Sequence, residues 1–524
     1  MNYWTQVFYT LDFLAKKYYY LSIMNKFYIT TPIYYVNDIP HIGHAYTTIA
    51  ADVLARYHRL TGDEVFFLTG TDEHGTKVAQ SAEKAGRTPQ EFCDMNSAAF
   101  QMAWDRLDIS NDYFIRTTSE LHQRGVASFL NELKDAGAIY EGEYEGLYCT
   151  GCERFITEKE LVDGKCPDHK IEPDRLKEKN YFFNLKKYLP EVERLIDNGE
   201  LKIMPESRRK EVLGLFKQGL DDFSLSRESV KWGIELPFAK SQVAYVWVEA
   251  LMNYVTALGY GQDEGKFKKF WPAEIHLMAK DIIKFHAVYW PALLLAVGEK
   301  IPKVVFAHGF FTIDGEKMSK SLGNVIDPNA LIDAFGSDAV RYLLLSQFPF
   351  GQDGDIKAGN FAIQYNADLA NGIGNLVSRV LAMAEKYFGG AVPETENKDL
   401  KNEIEETWRQ YQKAMGEFAI DKAIEAIKKL NSVCDAYIEN NKPWELAKTN
   451  EERLIEVMYN LLEAMRHLGL MLYPIIPMTA QKIMAGLGWS DFISQRFDDI
   501  AVWGRLEPGT KVSKGEALFP RLQK

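Results

Sequence analysis

The chain has 524 residues, 46% of them hydrophobic and 26% charged, an ordinary balance for a soluble globular protein. Single cores stop growing at about 250–300 residues, so several domains are expected, and no apolar run reaches the roughly 18 residues of a membrane helix. The 73 acidic residues against 61 basic ones give a net charge of −12, which excludes a basic coat for nonspecific nucleic-acid binding but leaves room for a local basic groove.

Residues 1–25 are aromatic-rich, and Asp12, Lys16 and Lys17 interrupt them. They lack the charged start, apolar middle and small-residue cleavage site of a signal peptide and read as an extension. From 26 to 139 short strands alternate with helices. Residues 27–31 (FYITT), 65–69 (VFFLT) and 113–116 read as strands. Between the first two, Ile49, Val53 and Tyr57 repeat at i, i+4, i+8, one helix face. Such alternation predicts a parallel sheet with helices on both faces. Residues 140–237 break the pattern and read as an insertion. Alternation resumes over 238–311, with a helix at 245–257, a strand at 274–279, a helix at 281–297 and a strand at 303–311. Residues 312–360 form a linker. The remainder, 361–524, is helical, with helices at 361–388, 399–419, 420–441 and 451–469 and a break at Gly389-Gly390-Ala391-Val392-Pro393.

Four groups of residues carry chemistry. His41-Ile42-Gly43-His44 lies between the first strand and its helix. Helix N-termini offer free N–H groups to phosphates, Gly43 lets a flat base approach the backbone, and two imidazoles can bond phosphate oxygens as charge builds. Lys317-Met318-Ser319-Lys320-Ser321 follows the last strand, where two lysines can clamp a pyrophosphate leaving group. Cys149-x-x-Cys152 and Cys166-x-x-His169 form two short-spaced pairs suited to one tetrahedral ion, best Zn²⁺. With all four ligands filled the site is structural, and thiols used this way suit a reducing cytoplasm. Cys93 and Cys434 stand alone in helical patterns and read as buried structural residues. Finally, Asn375 and Arg379 share a helix face and Trp444 follows a helix at a loop; by composition Trp444 reads as a core residue, and the alternative is an exposed aromatic beside hydrogen-bonding side chains, of the kind that read unstacked RNA bases.

The ordered pair HIGH and KMSKS resembles the signature of class I aminoacyl-tRNA synthetases. Thr30-Thr31-Pro32-Ile33-Tyr34-Tyr35-Val36-Asn37, Thr69-Gly70-Thr71-Asp72-Glu73-His74-Gly75, Tyr245-Val246-Trp247 and Lys280-Asp281-Ile282-Ile283-Lys284-Phe285-His286 resemble the methionyl-tRNA synthetase family, over roughly residues 26–520. The resemblance implies an α/β fold: a class I Rossmann-type catalytic domain with a zinc-knuckle insertion, followed by an α-helical anticodon-binding bundle. It implies methionine activation by Mg²⁺-ATP and transfer to tRNA(Met). His41, Gly43, His44, Lys317 and Lys320 would serve catalysis. Lys280 and Asp281 would join them at ATP. Pro32, Ile33, Tyr35, Trp247, Ala250, Leu251, Tyr254, Ile282 and His286 would line the side-chain pocket, with Asp72 on the ammonium. Aromatic walls suit a polarizable thioether. Cys149, Cys152, Cys166 and His169 would hold the zinc, and Asn375, Arg379 and Trp444 would read the anticodon. Two residues depart from the family's pattern: Ala279 stands where Gly is common, and Glu249 where Asp is frequent. The ending near Leu518-Phe519-Pro520-Arg521 leads to the expectation of a monomer. Rival readings are a sister synthetase for Leu, Ile or Val, which would need a larger editing insertion; an RNA-binding protein without catalysis; and a tRNA-independent adenylyltransferase, which would have no use for the helical domain.

Overall fold

The structure, a computed structural model, describes residues 25–523 apart from 152, 157, 168–169 and 319–323. The extension at 1–24 lies outside the described residues. The near-continuous apolar run of β1 (Lys26–Tyr35) is what a strand covered on both faces requires. It leads into α1 (Ile42–Leu60), whose Ile49 and Val53 are fully buried, and then into β2 (Glu64–Asp72) and β3 (Tyr113–Arg116). With β4 (Lys202–Met204), β5 (Ile275–Ala279) and β6 (Val304–His308) these form one sheet in the order β3-β2-β1-β5-β6-β4. Every neighbouring pair is parallel.

The order reverses at β1, and open α/β sheets bind ligands at such a switch point. β1 meets β5 only at Ile29↔Ile275 and Thr30↔His276. Its register with β2 shifts between Thr30 and Ile33, yet that pairing continues to Tyr35↔Asp72. The end of β1 therefore stays with β2 and leaves β5, and a crevice opens between them.

The stretch 140–237 builds a four-stranded antiparallel sheet around Ile139–Cys149 and Asp174–Phe183. It also returns β4 to the edge of the main sheet, beside β6. The three residues of that strand are too few to show a period, so the sequence reading passes over it.

Two expected helices differ from their reading. The span 245–257 is two short helices, Val246–Leu251 and Asn253–Thr256. At the break the Asn253 side-chain amide donates to the Ala250 carbonyl at 2.6 Å, competing with the helix ladder. The span 281–297 is a tight turn (Lys280–Ile282), a wide π turn (Phe285–Tyr289) and then Trp290–Ala296. Pro291 has no N–H and its ring crowds the carbonyl four residues back, which accounts for the widened turn. The expected strand at 303–311 stops at His308. A Cβ on Gly309 would meet the backbone of Gln352 and Asp353 at 2.4 Å, and Phe311–Ile313 pairs instead with Gly354–Ile356.

The C-terminal bundle contains α2 (Gly374–Phe388), α3 (Lys401–Gly416), α4 (Ile420–Asn441) and α5 (Glu451–Leu472). Residues 361–373 before α2 form a short helix and a π-helical stretch instead of one regular helix. Gly389, left-handed at φ 56°, ends α2 at the expected break. α5 is buried on nearly every side and forms the centre of the bundle. Arg341, wholly buried, joins bundle to sheet. It donates to the carbonyls of Leu107, Pro474 and Ile475 at 2.8–3.1 Å and pairs with Asp52 of α1 at 2.7 Å. Among the described residues no helix is long and apolar enough to cross a membrane.

Candidate active site

The C-terminal end of β1 and the start of α1 place His41 and His44 at the crevice. His41 caps α1: its Nδ1 accepts from the Gly43 N–H at 3.1 Å, and the His41 N–H donates to His44 Nδ1 at 3.2 Å. With both Nδ1 atoms accepting, each neutral ring carries its proton on Nε2, as a donor. The two rings stack at 3.7 Å. Burial, and secondarily His41, holds the His44 pKa well below the usual histidine range. A Cβ on Gly43 would press to 2.9 Å on the His41 ring and reach within 3.5 Å of the Met318 methyl. The Ile42 N–H donates to the Ile326 carbonyl at 3.1 Å. Met318 and Ile326 therefore lie against HIGH, although some 270 residues separate them in the chain. Lys317 closes a short hairpin with Thr312. Lys320 lies outside the described residues.

Asp72 ends β2, is 3% exposed, and its Oδ1 has no hydrogen-bond partner among the described residues. Burial, then Glu249, Glu153 and Glu73, pushes its pKa well above the usual carboxylate range. The buried Tyr35 hydroxyl, in register with Asp72, is also without a partner among the described residues. Buried polar groups are nearly always satisfied, so this pair is suited to the polar end of a cationic ligand.

Beside them lies the side-chain wall. Tyr35 meets Trp247 edge-on at 6.0 Å, and Trp247 stacks on Phe285 at 4.2 Å. Pro32, Ile33, Tyr35, Trp247 and Ile282 are half-buried, while Ala250, Leu251, Tyr254 and His286 are buried. His286 Nδ1 lies 3.0 Å from the Ile282 carbonyl, which can only accept. Nε2 therefore accepts from the Tyr254 hydroxyl, at 2.7 Å. Burial pushes the His286 pKa down to about 4, so the ring is neutral and its polar atoms are already used. The surface left to a ligand is aromatic and apolar, the kind a thioether prefers.

Lys280 and Asp281 follow β5 at the crevice. Lys280 pairs with both oxygens of Asp353 at 2.7 Å, a partner the sequence reading does not include. Asp281 is exposed, and Ala279 is the last residue of β5. Sequence reasoning also missed a buried network: Glu249 lies 2.9 Å from His74 and 2.8 Å from His122. Burial would raise the Glu249 pKa, but the two histidines hold it below the usual range. His74 stands in the quoted TDEHG run, whereas His122 carries no local signal at all.

Two of the four expected metal ligands, Cys149 and Cys166, are described, both fully buried against Ile156 and Leu161. Each stands at a tight turn. Cys149 faces Arg154 across a hairpin, and the Lys170 N–H donates to the Cys166 carbonyl at 2.8 Å. Paired turns with buried thiols fit a metal knuckle. Cys152 and His169 lie outside the described residues. In the bundle, Asn375 and Arg379 lie half-buried on α2, and Arg379 is engaged by Glu439 at 2.8 Å and Asp435 at 3.7 Å. Trp444 sits in a short helix, Pro443–Thr449, not in a loop, and is 39% exposed. Its exposure argues against a core role.

A family model described as tRNA synthetases class I (M) matches residues 27–178 and 170–381. Another, the anticodon binding domain of methionyl tRNA ligase, matches residues 388–524. The chain is 45% identical over 509 residues to the methionine–tRNA ligase of Caldanaerobacter subterraneus subsp. tengcongensis, covering 95% of this chain and 79% of that protein. It is 44% identical over 507 residues to that of Thermotoga maritima, with 95% and 80% covered. The fold is similar to that of the Mycobacterium tuberculosis methionyl-tRNA synthetase in complex with methionyl-adenylate, with a TM-score of 0.91 at 40% identity over 95% of this chain and 100% of that one.

Proposed function

Because the chain belongs to the methionyl-tRNA synthetase family of class I synthetases, we propose that it activates methionine with ATP and charges tRNA(Met) through the residues described above. In the first step a methionine carboxylate oxygen attacks the α-phosphorus of ATP. The bond to the bridging oxygen of the β-phosphate breaks, and pyrophosphate leaves. In the second, the 2′-hydroxyl of the terminal adenosine attacks the adenylate carbonyl and AMP leaves. No side chain is needed as nucleophile.

The observation that carries this reading is the buried Asp72 carboxylate, whose Oδ1 has no hydrogen-bond partner among the described residues, beside the Tyr35–Trp247 wall. Asp72 takes the ammonium; Pro32, Ile33, Tyr35, Trp247, Ala250, Leu251, Tyr254, Ile282 and His286 surround the thioether. His41 and His44 donate Nε2–H to phosphate oxygens as charge builds, while Lys317 and Lys320 hold the departing pyrophosphate. Gly43 leaves room for the base. Asp281 reaches a ribose hydroxyl, and Lys280 reaches the nucleotide by exchanging its Asp353 partner. Mg²⁺ bound with ATP supplies charge neutralisation on the triphosphate. Cys149, Cys152, Cys166 and His169 would hold one structural Zn²⁺, which fixes the shape of the insertion. Asn375, Arg379 and Trp444 contact the anticodon. The buried thiols fit a reducing, cytoplasmic setting.

The test is ATP–pyrophosphate exchange without tRNA. It should depend on methionine, and exchange driven better by leucine or isoleucine would overturn the reading. Discrimination against norleucine should be imperfect, since apolar pockets separate isosteres by only about 1–3 kcal/mol.

A further inference from the structure

The Glu249 carboxylate is wholly buried and accepts from His74 Nδ1 at 2.9 Å and His122 Nε2 at 2.8 Å. His122 is secured on its other side by Thr256 Oγ1, 2.8 Å from Nδ1. All three ionisable side chains are at most 4% exposed. Ionisable groups in a dry interior are costly unless they satisfy one another. None of the three is needed for either chemical step.

Their placement suggests what they do. Glu249 lies on the Val246–Leu251 helix, between Trp247 and the pair Ala250 and Leu251 of the side-chain wall. His74 lies two residues beyond Asp72. His122 belongs to the Glu120–Asp135 helix, which Ser119 caps. Asp72 comes from the first half of the catalytic domain and Trp247 from the second. Among the described residues Asp72 Oδ1 has no hydrogen-bond partner, so its spacing from that wall depends on what ties the two segments together. Glu249 is such a tie: it is carried beside Trp247 on the second segment, and its two oxygens hold His74 and His122 of the first.

We propose that Glu249, braced by His122, is a positioning residue for methionine that sets the spacing between the ammonium carboxylate and the side-chain wall. The inference rests on the methionine reading above. It assigns a role to a position where this chain departs from the family's frequent Asp: the longer side chain spans to two histidines at once.

The experiment is exchange kinetics on the full-length protein for Glu249→Gln, Glu249→Asp and His122→Gln, with methionine and ATP varied separately. Glu249→Gln keeps the volume but loses the charge, and should raise the methionine KM by about 10- to 100-fold, the scale of a charged hydrogen bond. The ATP KM, and kcat at saturating methionine, should stay within about two-fold, because only ground-state positioning of one substrate is lost. Glu249→Asp, one methylene too short to span to both histidines, should recover only part of that affinity, and His122→Gln should give the same split more weakly. Melting curves identify any variant that fails to fold. If Glu249→Gln does not fold, His122→Gln decides. A folded deciding variant with a normal methionine KM would overturn the inference, as would methionine and ATP KM rising together. Failure of the wild-type protein to exchange with methionine would instead sink the functional reading itself.

Discussion

Replacing Asp72 by Asn separates two effects that the structure predicts with opposite signs. With methionine bound, the carboxylate would pair with an ammonium in a buried site. A hydrogen bond to a charged group contributes about 1.5–3 kcal/mol, and leaving a buried partner uncompensated costs about 3–5 kcal/mol. Asp72→Asn should therefore lower kcat/KM for methionine by about 10²–10³-fold, at 1.4 kcal/mol per decade. Without methionine the same charge is a burden. Burial and three neighbouring carboxylates raise its folded-state pKa. A carboxyl with a raised folded pKa binds its proton more tightly when folded. Its stabilising contribution is full below the unfolded value and is lost as pH rises through the folded one. At neutral pH the ligand-free variant should then melt a few degrees above wild type. Methionine at 100 times its Kd should stabilise wild type by about 2.7 kcal/mol and leave the variant nearly unmoved. Thermal melts with and without methionine, beside exchange kinetics, read both effects. A variant that melts lower than wild type and keeps its methionine shift would refute the argument.

Lys320→Ala should slow adenylate formation by about 10²–10³-fold with little change in methionine binding, as for one preorganised charge-stabilising group; pre-steady-state adenylate formation checks this. Trp444→Ala should weaken tRNA binding by about 1–3 kcal/mol, the size of one base–aromatic stack, while its 39% exposure predicts an almost unchanged melting temperature and normal exchange. Metal analysis should find about one zinc per chain, and Cys149→Ser should reduce charging through a damaged insertion without altering the methionine KM. Burial pushes His308 down to about 4, against about 6.5 when unfolded. Its stabilising contribution is present above the unfolded value and is lost as pH falls towards 4. His308→Gln should then lose less melting temperature than wild type on acidification from about pH 6.5 to 4, and an equal loss would refute the assignment.

The sequence alone determined the class of sheet, because strand–helix alternation on either side of the insertion admits few other arrangements. It also placed HIGH at a helix start, where His41 indeed caps α1, and picked out the residues whose local spacing reports a shared face. α4 and α5 were legible in this way, whereas Trp247, Ala250 and Tyr254 were named through the family resemblance. Local spacing says which way a side chain points, not what it meets. The β4 strand came from inside the insertion, too short to show a period. The π turn at Phe285–Tyr289 arose from the conflict between a helical pattern and Pro291. The Lys280–Asp353 pair joins residues separated by 73 positions, and the His122–Glu249–His74 network joins three segments separated by 127 and 175. Only tertiary packing decides such contacts, because a buried charge is tolerable only where the fold brings its partners to it, and nothing in the flanking residues records where those partners lie.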